Sequence, residues 1–180
     1  MSIREEWQKH VADDVLFEVK PLHGDPGART VLMSKEIQEL VEGPWEHEQG
    51  KRCAKLLATL QSIVVGSHMV VNLDPYSARA ARMGRLHPIE DGIWDIRSRD
   101  KPGLRIFCAF LEKNVMITFI CSPRSVAVPW LHRLPLGIGE SIEWERAIRE
   151  TKREWAILFP AYTPVTGDDL NEYLSNASHE

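Results

Sequence analysis

The sequence is poor in the features that announce most enzymes and most secreted or membrane proteins. It has three cysteines, Cys53, Cys108 and Cys121, far apart and each beside apolar or helix-forming neighbours, as in "IFCAF" and "FICSP". An odd, scattered set of this kind reads as small buried hydrophobes in a reducing compartment rather than as a disulfide framework or a zinc site. No window approaches the roughly 18 uncharged apolar residues that a membrane span needs, and "MSIREEWQKHVADD" has no apolar signal segment, so the expected setting is cytoplasmic. G-x-G-x-x-G, a Walker loop, H-E-x-x-H and a C-x-x-C pair are all missing, which removes the common nucleotide, metalloprotease and thiol chemistries and leaves no expected cofactor or metal. His47, flanked by Glu46 and Glu48, fits the solvated first turn of a helix, and His87 in "RLHPIEDG" fits a turn.

What remains is an ordinary globular composition: 180 residues, 43% hydrophobic and 27% charged, with six tryptophans. At that length folding removes roughly 70% of the unfolded chain's surface from water, enough for one substantial core. The net charge of −4 is unevenly spread. Arg79 to Arg133 holds ten basic residues (Arg79, Arg82, Arg85, Arg97, Arg99, Lys101, Arg105, Lys113, Arg124, Arg133) against five acids (Glu90, Asp91, Asp95, Asp100, Glu112), so this segment is +5 and the remainder −9.

The hydrophobic pattern predicts a mixed α+β fold. A polar helical segment opens the chain, and "VLFEVKPL" at Val15 to Leu22 alternates like a half-buried strand. "TVLM" at Thr30 to Met33 leads into a helix capped by Ser34 and ended by Gly43 and Pro44. Cys53, Leu56, Leu57, Leu60, Ile63 and Val64 then make one apolar face on a longer helix from about residue 46 to 65, and "NLDPYSARAARMGRLHP" is expected to hold a short helix. "IWDIRS", "LRIFCAFLE" and "NVMITFIC", joined by turns at "KPG" and "EKN", read as an antiparallel meander covered on one side by the two preceding helices. A last helix from Glu140 carries a stripe of Trp144, Ile148, Thr151 and Trp155, and "TGDDLNEYLSNASHE" reads as an acidic, mobile tail.

Every strand of the meander carries or ends beside an arginine. Arg97 and Arg105 flank one hairpin loop and Arg124 follows the third strand, so antiparallel order gathers all three at one edge of the sheet. Convergent guanidiniums suit phosphate or a phosphorane-like transition state, because each is a planar fork of donors that keeps its charge. The alternative is that they pair with Asp95, Asp100 and Glu112 and only keep the rim soluble.

The order strand, two helices, meander, with "GIWDIRS", "PGLRIFCAF" and "VMITFICSPRS", resembles the RelE/ParE/HigB superfamily of bacterial toxins. "IEWERAIRETKREW" is similar to the C-terminal helix of the HigB-like branch, and the resemblance covers about Thr30 to Trp155. It implies a RelE-like α+β domain over 30–160, with 1–29 as an N-terminal extension and 161–180 as a polar tail. In that fold a helical hairpin packs on a twisted antiparallel sheet that ends in the three-strand meander, followed by a C-terminal helix. The activity implied is ribosome-dependent cleavage of messenger RNA, in which a 2′-hydroxyl attacks the adjacent phosphate without a metal, and the partners implied are the ribosome, mRNA and an antitoxin protein. By position, Arg105 matches the arginine that stabilises charge on that phosphate, Arg97 the basic residue closing the first meander strand and Arg124 the one after the last, while His132 or Asp95 would take the proton. A binding protein on the same fold, such as a ParE-like topoisomerase inhibitor, is the alternative.

Overall fold

The computed structural model describes residues 2–22, 27–45, 47–75, 81–97, 104–123 and 138–179. Among these are four α-helices and eight strands in one sheet: α1 (Ile3–Ala12), β1 (Phe17–Glu18), β2 (Thr30–Met33), α2 (Lys35–Glu42), α3 (His47–Val64), β3 (Met69–Asn72), β4 (Met83–Arg85), β5 (Ile93–Arg97), β6 (Leu104–Glu112), β7 (Val115–Pro123), α4 (Ile138–Leu158) and β8 (Ala177–His179). The spatial order is β1-β2-β7-β6-β5-β4-β3-β8. The mixed α+β class follows, with the meander β5–β6–β7 antiparallel at the centre. The pairs β2/β7, β3/β4 and β3/β8 are parallel.

Local chemistry explains most of the boundaries. Ser2 and Glu5 close a reciprocal capping box on α1, and Ser34 accepts from the Ile37 amide at the start of α2 while its hydroxyl donates to the Phe119 carbonyl at 2.6 Å. The same serine therefore ends a strand, starts a helix and ties both to β7. Gly43, at φ 81°, ends α2 in a conformation that a β-carbon disfavours.

Helices cover both faces of the sheet, not the one face expected from the meander and the two helices before it. On one face Ile37 and Val41 of α2 and Leu56, Leu60, Ile63 and Val64 of α3 pack with Trp94, Ile96, Ile106, Cys108 and Phe110. On the other, Ala147, Ile148, Trp155 and Phe159 of α4 and its C-terminal flank pack on Ile93, Phe107, Ala109, Ile117 and Phe119, with Ile3, Trp7 and Val11 of α1 alongside. Ile148 and Trp155 of the α4 stripe are thus core residues, and Thr151 between them is fully buried.

Two further expectations are corrected. The segment expected to hold a short helix before the meander instead supplies β4 where it is described, because Met83 is needed as a buried rung between β3 and β5. The tail expected to be acidic and mobile is anchored. Tyr173 and Leu174 are buried, β8 pairs with β3, and the Tyr173 ring meets Trp94 and Phe110 edge-on at centroid distances of 4.7 and 5.2 Å. Residues 1–29 and 161–180 also contribute β1 and β8 to the common sheet.

Candidate functional site

β5 is covered on both faces, and Ile93, Trp94, Asp95 and Ile96 are all buried. A carboxylate in that position has lost its water and needs charged or hydrogen-bonding partners. Asp95, with no exposed surface, has two. The Arg97 Nε–H donates to both carboxylate oxygens, at 3.0 and 2.8 Å, and Arg105 Nη1 donates to Oδ2 at 2.5 Å. Arg97 and Arg105 are direct cross-strand partners in the β5/β6 ladder. Two like charges set opposite each other destabilise a sheet, and the shared carboxylate offsets that repulsion.

Strand alternation puts Asp95 and Arg97 on the face that Ile93 shares with α4, and Arg105 on the same face as Phe107. Gly84 of β4 lies opposite Asp95. A β-carbon at Gly84 would sit 2.5 Å from Arg97 Nη2 and 3.4 Å from Asp95 Oδ1, so the Arg97 guanidinium lies over bare backbone. The carboxylate is sealed in while the two arginine side chains keep 16% and 23% of their surface open. These three groups together carry one positive charge. Burial, and after it the Asp95 charge, pushes the neighbouring Cys108 thiol well above its ordinary value.

The structure therefore brings together Asp95, Arg97 and Arg105 of the residues singled out from sequence. Arg124 and His132 lie outside the described residues, as does Asp100. Of the acids expected to neutralise the arginines, Glu112 is engaged elsewhere, in a two-pronged pair with Arg4 of α1 at 3.0 Å on each prong. The described basic residues of that segment do not form one patch either. Arg85 turns inward, donating to the carbonyls of Leu73 and Gly167 and to Asp168 at 3.0 Å each, so it secures the C-terminal segment. Gly84 escaped the sequence reading, since a lone glycine in "RMGRL" does not reveal which side chain it makes room for.

Among the described residues no group of three or more His, Cys, Asp or Glu is placed to hold a metal ion, and no helix is long and apolar enough to cross a membrane. Comparison of the chain with protein-family models, with curated proteins and with solved structures finds no match.

Proposed function

We propose that the chain is a RelE/HigB-like toxin that cleaves messenger RNA on the ribosome and is neutralised by an antitoxin protein covering the Arg97, Arg105 and Arg124 edge. The observation that carries this reading is the pair of in-register arginines held on one buried carboxylate, with their side chains part-open to solvent. The order β2, α2, α3, then β5–β6–β7 and α4 follows the order on which the resemblance rests, with β3 and β4 inserted between α3 and β5. In the reaction the 2′-oxygen bonds to phosphorus, the 5′-oxygen leaves, one proton departs from the 2′-hydroxyl and one reaches the leaving oxygen. Arg105 and Arg97 stabilise the charge that grows on the non-bridging oxygens, a role worth about 3 kcal/mol per well-placed donor. The proton acceptor is His132, because Asp95 is sealed from solvent and occupied by two guanidiniums.

The test is growth after induced expression, wild type beside Arg105→Ala, with primer extension on a reporter message. Arrest with new in-frame ends that vanish in the variant is the expected result, and soluble wild type without arrest overturns the reading. The second reading, a non-catalytic binding module such as a ParE-like topoisomerase inhibitor, draws on the same ion pairs, since they occupy the site's buried carboxylate. A topoisomerase inhibitor predicts arrest without new message ends, and an inactive relative predicts no arrest.

A further inference from the structure

Asp95 and Gly84 have no obvious part in binding RNA, yet both are fitted to the arginines. A fully buried aspartate is costly unless its partners are fixed, and here its two oxygens receive three hydrogen bonds from two guanidiniums on adjacent strands. Those bonds remove the rotational freedom that makes an arginine a loose cation. Beside Asp95, the missing side chain at Gly84 leaves room for the Arg97 tip, whose Nη2 lies 2.5 Å from the would-be β-carbon.

We infer that Asp95 and Gly84 are positioning residues for the arginine pair, the carboxylate orienting both guanidiniums and the glycine setting where the Arg97 fork comes to rest. The inference rests on the toxin reading for its consequence in catalysis, but its geometry stands independently. Gly84→Ala is the incisive variant. The group it displaces first is the end of the Arg97 side chain rather than backbone, so all three charges stay while the Arg97 guanidinium is pushed off its place against Asp95. A shift of about 1 Å in a positioned group can cost on the order of a hundredfold in rate.

The experiment uses the full chain, with cleavage measured on ribosomes carrying a defined message and the Arg97 Nε–H followed by NMR. In the wild type, exchange of that proton with water is slowed at least about tenfold relative to an exposed arginine, as a charge-assisted bond requires. Gly84→Ala abolishes that protection and lowers cleavage by at least about tenfold, and the same substitution made in an Arg97→Ala background costs nothing more. Asp95→Asn lowers the cleavage rate while leaving the half-saturating ribosome concentration within about twofold, since it loosens the arginines without removing a contact to RNA. Unprotected Arg97 Nε–H in the wild type overturns the inference, as does full additivity of Gly84→Ala with Arg97→Ala. If the wild type cleaves nothing, the toxin reading falls, whereas loss of Arg97 protection in Gly84→Ala still supports the positioning geometry.

Discussion

Asp95 is the residue on which local stability and the candidate site meet. Its carboxylate compensates two guanidiniums at 16% and 23% exposure, so deleting its charge leaves cations that water reaches only in part. Asp95→Asn is expected to lower unfolding stability by about 2 kcal/mol, below the cost of breaking a fully buried pair because the arginines retain some hydration. Urea denaturation checks this, and a loss under about 0.5 kcal/mol would mean that the arginines are held by other contacts. The thiols give a second prediction. Burial raises the Cys108 thiol and pushes Cys121 up to about 12. Both stay protonated in the folded chain above the ordinary thiol value of 9.0, where the unfolded chain ionises. Their contribution to stability is therefore whole below that pH and is lost as pH rises toward the folded values, at up to about 1.4 kcal/mol per pH unit for each thiol. Tyr173 acts in the same direction at the upper end of that range, its hydroxyl being raised by burial. Melting temperature measured from pH 8 to 11 should fall, and less steeply in Cys121→Ala; equal slopes would remove Cys121 from the account.

At the scale of elements, the C-terminal segment is the surprise. After α4 the chain hydrogen-bonds to β6 through Val165 and Phe110, is gripped by Arg85 at Gly167 and Asp168, and meets the β6–β7 turn where Asn114 bonds Tyr173 and Ser175. Arg29, buried, donates to the carbonyls of Ile63, Ser67, Ser175 and Asn176, fastening the end of α3 to the approach to β8. Tyr173→Ala removes a ring from the Trp94–Phe110 cluster and is expected to cost about 3–5 kcal/mol. A loss below 1 kcal/mol in the same denaturation would mean that the segment rests on the sheet without supporting it. This is also where sequence reasoning failed. Alternation and capping residues made the meander, α2 and α3 legible, and the arginines of β5 and β6 were placed together from hairpin order alone. Nothing local distinguishes "NEYLSNASH" from a polar tail, because its one buried tyrosine and leucine acquire meaning only from Trp94 and Arg29, far off in the chain. β4 was missed for a related reason: Met83–Arg85 follows a stretch of helix-forming composition, and pairing with β3 and β5 makes it a strand. Asp95 was legible as an ion-pair partner of the arginines, the alternative to a phosphate site, but not in its burial, since alternation alone does not show that both faces of β5 are covered.

Over the whole molecule, charge decides what kind of RNA contact is feasible. The chain is −4 overall, and among the described basic residues of its central segment Arg85 turns inward and Arg97 and Arg105 share Asp95. Such a protein gathers little non-specific affinity from long-range attraction. If the arginine pair supplies the phosphate contacts, only two phosphates are neutralised, and each contact to single-stranded nucleic acid contributes a slope of roughly −0.7 in log affinity against log salt. The expected slope for a single-stranded RNA oligonucleotide is then about −1.4, so affinity falls only about sevenfold between 50 and 200 mM salt. Arg97→Ala should reduce the slope by about half. Binding measured across that salt range provides the check. A slope steeper than about −3 would show that basic residues other than Arg97 and Arg105 carry the backbone contacts, and would move the RNA path away from the β5–β6 pair. A slope near −1.4 that halves in Arg97→Ala would place phosphate on the two arginines that Asp95 holds together.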